Sequence, residues 1–143
     1  MTVADARADR DEITDVLVRY ATGIDTKDWP LFRTCFTPDV HADYGDIGVW
    51  EGVDAITTYM DETHATMPDT KHMLTNIAID VAGDEAAAST YVHAVLVVTR
   101  DPEVSVDAFG RYVDRFVRTP DGWRIRERTF HTTRVVFSPA GAA

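Results

Sequence analysis

The sequence predicts an α+β protein in which a largely antiparallel sheet wraps over helices. Apolar residues recur at helical spacing mainly in the first half of the chain, within residues 5–66. Residues 71–137 instead form long stretches rich in β-branched side chains, separated by turn residues. Helices followed by a run of long strands are typical of α+β domains, and a length of 143 residues favours one domain spanning residues 1–143.

Three helices are predicted in the first half of the chain. The first covers residues 5–24, and its apolar residues share one helical face: Ile13, Val16, Leu17, Tyr20 and Ile24. The second covers Trp29–Phe36, with Asp28 placed to act as its N-cap. Residues 39–50 predict a short strand and hairpin, and Val53–Thr66 predicts the third helix.

Four long strands are predicted in the second half. They cover residues 71–82, 85–100, 104–118 and 122–137. The last two are joined by Thr119-Pro120-Asp121-Gly122, whose proline, aspartate and glycine are typical of a hairpin turn. We therefore expect consecutive strands of this half to pair as antiparallel neighbours.

The composition excludes several functional classes. The 14 Lys and Arg residues against 24 Asp and Glu residues leave a net charge of −10, which disfavours nucleic acid and anionic membrane surfaces as partners. One cysteine, Cys35, cannot form an intrachain disulfide, and apolar helical neighbours make it a core residue. The absence of HxH and HExxH spacing predicts no metal site. Because residues 1–15 lack the apolar core of a signal peptide, we expect a cytoplasmic protein.

Strand alternation gives two further expectations. On an ideal strand, His72 shares a face with Leu74, Asn76 and Ala78, opposite the more apolar face. On the last strand, the same alternation directs Arg128 away from the face of Trp123 unless a β-bulge turns it inward.

Three segments resemble the SnoaL-like proteins of the nuclear transport factor 2-like superfamily. They are YATGIDTKDWPLFRTCFTPDV, KHMLTN and GRYVDRFVRTPDGWRIRERTF, and their order and spacing extend the resemblance over residues 8–137. The resemblance implies a cone-shaped barrel. Its strongly curved, mixed, mostly antiparallel sheet would wrap around about three N-terminal helices and enclose a pocket.

Within that superfamily the chain is most similar to the branch of scytalone dehydratase, hexachlorocyclohexane dehydrochlorinase and bile-acid 7α-dehydratase. The resemblance implies a catalytic pair of Asp25 and His72, with Tyr20 and Arg128 assisting, and no cofactor. A neutral imidazole can accept a carbon-bound proton while a buried carboxylate orients it. This predicts a lyase or isomerase, with dehydration favoured, acting on a polycyclic, terpenoid, aromatic or polyketide-like compound. The expected substrate-binding residues are Trp29, Phe32, Trp50, Tyr59, Met73, Tyr112 and Phe116, which would serve equally well as core.

Two other functions remain open at this level. The same scaffold can bind a small hydrophobic ligand without turning it over, or it can serve as an assembly module. An external apolar sheet face is expected to form a homodimer or homotrimer interface, with these residues as candidates: Val95, Val97, Val106 and Ala108.

Overall fold

The computed structural model describes residues 2–141 as three helices and one six-stranded sheet. The helices are α1 (Val3–Asp25), α2 (Trp29–Arg33) and α3 (Val53–His64). The strands are β1 (Phe36–Asp43), β2 (Val49–Glu51), β3 (Asp69–Ala82), β4 (Glu85–Arg100), β5 (Glu103–Thr119) and β6 (Gly122–Ser138), with a short 3-10 turn at Gly45–Ile47.

The strands pair in the order β2-β1-β6-β5-β4-β3. All neighbouring pairs are antiparallel except β1 and β6, which run parallel. The α+β class and the mixed, mostly antiparallel sheet are therefore confirmed. The expected barrel needs one correction, because the sheet is curved but open, with β2 and β3 at its two edges.

Helix α1 packs its apolar side onto the sheet. The predicted face is confirmed, since its five residues are all buried. Gly23 lies within this helix, two residues before its last residue. A Cβ there would lie 3.0 Å from the backbone of Phe32, so glycine allows α2 to pack closely against α1. No helix within residues 2–141 is long and apolar enough to cross a membrane.

Helix α2 is shorter than predicted. Asp28 caps it as expected, its carboxylate accepting a hydrogen bond from the Leu31 N–H at 3.0 Å. The helix ends at Arg33, and Phe36 instead begins β1, where it pairs with Ile125 of β6. Sheet pairing thus replaces the last helical turn that the local sequence predicts.

A β-bulge at Asn76 changes which residues of β3 face the helices. Asn76 has φ +51°, and the pairing of β3 with β4 shifts between Thr75 and Ala78. His72 and Leu74 face inward before the bulge. After it the inward positions are Ile77, Ile79 and Val81. Strict alternation was therefore wrong for this strand. The extra residue places His72, from one predicted face, on the same side as the isoleucines of the other predicted face.

A second bulge at Arg126 turns Arg128 inward. Arg115 pairs with Glu127, whereas Phe116 pairs with Ile125, so Arg126 is the extra residue. Arg126 is exposed, while Arg128 is 1% exposed. The bulge considered from the sequence thus determines which arginine of β6 enters the interior.

The four valine and alanine residues expected to form an interface do not share a face. Ala108 borders the internal cavity and lies opposite Ala94 of β4, and Val106 lies opposite Leu96, which borders the same cavity. Alternation along β4 then places Val95 and Val97 on the outer surface. This predicted interface is wrong as a set, because the register divides it between the two sides. The oligomer itself stays a prediction.

Candidate active site

A cavity of about 160 Å³ lies between α1, α3 and the inner face of the sheet. Five aromatic residues and two histidines are among those that border it: Tyr20, Tyr44, Tyr59, Tyr112, Phe130, His64 and His72. An apolar cavity of about 150 Å³ can hold a benzene ring. The cavity is therefore large enough for one ring of a hydrophobic compound.

A larger concavity of about 800 Å³ lies on the outer face of the sheet, bordered by Met73, Tyr91, His93 and Phe109 among others. It is an open groove on the surface. In it His93 pairs with Asp107 at 2.9 Å and stacks on Phe109. We place the candidate site in the smaller cavity because binding sites enclose their ligands, and because that cavity contains His72.

His72 and Asp25 form a hydrogen-bonded pair at the wall of the cavity. Asp25 is the last residue of α1, and His72 lies near the start of β3. The Nδ1 atom of His72 lies 2.7 Å from Oδ1 of Asp25, and the His72 backbone N–H donates to Oδ2 at 2.8 Å. The Thr70 hydroxyl donates to Oδ1 at 2.9 Å. One carboxylate thus holds both the ring and the backbone of His72.

These contacts determine the charge of Asp25 and the tautomer of a neutral His72 ring. Burial alone would raise the pKa of Asp25, but the hydrogen bonds from His72 and Thr70 outweigh it and lower that pKa. The ionised carboxylate keeps the proton of a neutral imidazole on Nδ1. Among residues 2–141 nothing hydrogen-bonds to the Nε2 atom of His72, whose side chain is 8% exposed. The free lone pair of Nε2 is therefore available as a base.

Three tyrosines, Tyr20, Tyr44 and Tyr112, form the neighbouring wall, and Arg128 lies behind them. The hydroxyls of Tyr20 and Tyr44 are 3.0 Å apart, and both residues border the cavity. The Arg128 guanidinium lies between two tyrosine rings, 4.3 Å from the centre of Tyr20 and 3.9 Å from that of Tyr112. Arg128 does not border the cavity, so it can influence a ligand there only through these tyrosines.

Arg128 is held by Asp114 in a fully buried pair. Two hydrogen bonds of 2.7 and 2.9 Å join the guanidinium to the carboxylate. Burial raises the pKa of Asp114, and the charge of Arg128 opposes that rise. Burial also raises the pKa of Tyr20 and Tyr44 well above the ordinary value, although Arg128 opposes it there too. The tyrosine hydroxyls therefore stay protonated and can donate hydrogen bonds.

The structure places only part of the predicted binding set at the cavity. Tyr59 and Tyr112 border it. Phe32 and Phe116 are fully buried core residues instead. The prediction for Met73 is wrong because its neighbour His72 faces inward. Met73 therefore faces outward, and it is 44% exposed.

The two predicted tryptophans lie behind the wall rather than on it. Trp50 packs on the rings of Tyr44 and Tyr59, with centres 5.4 and 4.5 Å away. Trp29 packs on Phe32 and on the ring of His64. The prediction that Trp29 and Trp50 line the cavity is therefore wrong. Each tryptophan instead packs against at least one residue that borders it.

Sequence reasoning missed two polar residues of the site, Tyr44 and His64. Tyr44, the residue after β1, continues the inward alternation of Val40 and Ala42. His64 lies four residues after Met60 on α3, which places it on the buried face of that helix. These two spacings are the sequence features from which the inward direction of Tyr44 and His64 could have been predicted.

The described residues provide neither a metal centre nor a reactive thiol at the cavity. Among residues 2–141 no three His, Cys, Asp or Glu side chains are grouped so that they could hold a metal ion. Cys35 is buried in the core, and burial raises the pKa of its thiol to about 11. A protonated, enclosed thiol is not a nucleophile.

The fold and this site define a class: a curved α+β domain with a histidine–aspartate pair at an enclosed apolar cavity. The model of the SnoaL-like domain matches residues 5–129, and the chain belongs to that family. It is 34% identical over 122 residues to the uncharacterised protein Rv2910c of Mycobacterium tuberculosis, covering 85% of this chain and 83% of that protein.

Solved structures share the fold over nearly the whole chain. A Novosphingobium aromaticivorans protein provisionally named scytalone dehydratase has a TM-score of 0.85 at 22% identity, covering 99% of this chain and 95% of its own. Hexachlorocyclohexane dehydrochlorinase LinA-type3 of Novosphingobium barchaimii has a TM-score of 0.82 at 18% identity, covering 99% and 97%. At these identities the likeness shows the fold alone.

Proposed function

We propose that this protein is a lyase or isomerase that removes a carbon-bound proton from a small hydrophobic compound, with His72 as the base. The observation that carries the proposal is the free Nε2 of His72 at the cavity, held in place by the 2.7 Å contact of Nδ1 with Asp25. No cofactor enters the proposed step. Dehydration is the favoured reaction.

The proton transfer is balanced by charges that the site already holds. Nε2 takes the proton, and the electron pair of the broken C–H bond forms a new double bond or an enolate. The resulting imidazolium lies beside the ionised Asp25, which stabilises it. A general base of this kind contributes about 10²- to 10⁴-fold to a rate.

The tyrosine wall supplies the complementary group. In a dehydration, the hydroxide that leaves needs a proton, and in an isomerisation an enolate oxygen needs a donor. In the dehydration Tyr44 or Tyr20 gives its proton to the leaving hydroxide and regains one from the imidazolium of His72. In the isomerisation the same hydroxyl donates a hydrogen bond to the enolate oxygen, and Arg128 behind the tyrosines stabilises negative charge on this wall. Asp25 acts through His72, and Arg128 acts through the tyrosines, so both are positioning residues.

The names of two structural neighbours support the proposed reaction class. One is provisionally named a dehydratase and the other a dehydrochlorinase. Both names describe eliminations, in which a proton and a leaving group depart from a carbon skeleton. The family and the site geometry point to the same kind of chemistry.

Solvent exchange tests the proton-removal step without requiring the final product to be known. The protein is incubated in deuterium oxide with a panel of ketones and hydroxyketones that carry one or two rings. Mass spectrometry then measures deuterium uptake and loss of water. We expect the wild type to catalyse exchange on part of the panel, and His72→Ala to reduce the rate by about 10²- to 10⁴-fold.

A second histidine–aspartate pair supplies the matched control. His93 lies on the outer face and pairs with Asp107 at 2.9 Å, so His93→Ala should leave exchange unchanged. Circular dichroism verifies that both variants fold. Full exchange by folded His72→Ala would contradict the proposal. Saturable ligand binding by a wild type that exchanges nothing would support a binding protein instead.

A further inference from the structure

His64 is a second histidine of the cavity that the proposed proton transfer does not use. It is the last residue of α3 and is 5% exposed. Its Nδ1 lies 2.8 Å from the carbonyl oxygen of Met60, one helical turn earlier. Its Nε2 is buried and has no hydrogen-bond partner among the described residues.

The Met60 contact determines which nitrogen carries the proton. A carbonyl oxygen can only accept, so Nδ1 of His64 must be the protonated nitrogen. Burial lowers the pKa of His64, opposed by the bond to Met60, and the ring is therefore neutral. Nε2 of His64 is consequently an acceptor that has no hydrogen-bond partner among the described residues.

An acceptor buried without a partner is costly, and such groups in proteins commonly have a functional reason. His64 borders the same cavity as His72, and the centres of the two rings are 6.3 Å apart. One ligand ring can contact both. A ligand ring that carries a hydroxyl or N–H group can bring the donor that Nε2 lacks.

We propose that His64 is a specificity-determining residue whose Nε2 accepts a hydrogen bond from a hydroxyl or N–H group of the bound compound. The cavity then selects hydrophobic rings that carry a donor over rings that do not. This inference rests on the proposed function in taking the cavity as the ligand site. It assigns His64 no part in removing the proton.

Two probes of nearly the same shape test the selection. Para-cresol carries a hydroxyl where para-xylene carries a methyl group, and both are single rings. Calorimetry gives the ratio of their affinities for the wild type and for His64→Phe. We expect the ratio in favour of para-cresol to be about threefold to tenfold higher for the wild type, the range of one net hydrogen bond. His93→Phe on the outer face should keep the wild-type ratio.

Nitrogen NMR of the wild type provides a measurement that needs no variant. The Nε2 resonance of a neutral, Nδ1-protonated His64 should move when para-cresol is added, and should not respond in this way to para-xylene. An unchanged ratio in folded His64→Phe, or a proton on Nε2, would overturn the inference alone. If neither probe binds the wild type, the inference and the proposed ligand site both fail.

Discussion

Helix α1 carries two aspartates that anchor it to the sheet, one near each end, and they do so in different ways. Asp9 accepts two hydrogen bonds from Arg118, at 2.8 and 3.0 Å, and a third from the Trp123 ring N–H at 3.0 Å. Asp25 accepts from the ring and backbone of His72 and from Thr70. Each carboxylate satisfies three donors.

The two aspartates differ in the side chains they bind, which are Arg118 for Asp9 and His72 for Asp25. The first contact is structural, and the second belongs to the candidate site. A guanidinium stays protonated at any relevant pH, so Asp9 and Arg118 form a permanent contact between helix and sheet. An imidazole has a second nitrogen and loses its proton near neutral pH. The same kind of carboxylate therefore fixes structure at one end and, in the proposed function, prepares a base at the other.

Replacing Asp25 by Asn should produce the largest effect, and it should appear in activity. The variant keeps the shape of the side chain but cannot stabilise an imidazolium. We expect deuterium exchange to fall by about 10²-fold or more, while Asp9→Ala leaves exchange unchanged. Nitrogen NMR should also show that His72 loses its single Nδ1-protonated form. Retention of both the rate and that tautomer would remove the proposed difference between the ends.

Replacing Asp9 by Ala should have its effect on stability. The ring N–H of fully buried Trp123 would lose its acceptor, which costs about 1–3 kcal/mol of the free energy of unfolding. Urea denaturation measures this loss, with Asp25→Asn as the comparison. A larger destabilisation by Asp25→Asn than by Asp9→Ala would show that both ends are primarily structural.

Acid should weaken the attachment at Asp25 by a smaller amount. Its pKa is lowered from the ordinary 3.8 in the folded state, so its contribution to stability is present above that pH and is lost as the pH falls below it. The melting temperature of the wild type, minus that of Asp25→Asn, should therefore shrink as the pH falls below 3.8. A difference that grows in acid would contradict the direction of the shift.

Much of the fold was predictable because its signals are local. The buried face of α1, the cap at Asp28 and the turn before Gly122 each depend on a few neighbouring residues. The bulges at Asn76 and Arg126 were not predictable from alternation, because one unpaired residue reverses the phase of everything after it. That reversal explains the incorrect face assigned to β3.

The central pair of the site was predictable because a resemblance singled out its two residues. Asp25 and His72 were expected together and lie in contact. Phe32 and Phe116 were expected at the cavity but belong to the core. The sequence cannot separate these two places, because a cavity wall and a core both contain apolar aromatic residues. His64 was overlooked because a histidine near a helix end is ordinarily exposed.

The bulge at Asn76 also has a consequence for how β3 can change. It divides the strand into a segment that serves the cavity and a segment that serves the core, joined by one exposed residue. Substitutions in either segment can accumulate independently, because neither alters the phase of the other. Deletion of Asn76 would instead reverse the direction in which the side chains of one segment face. The inward isoleucines would then become exposed, or outward polar side chains would become buried. We therefore expect this strand to tolerate amino-acid substitutions far better than insertions or deletions.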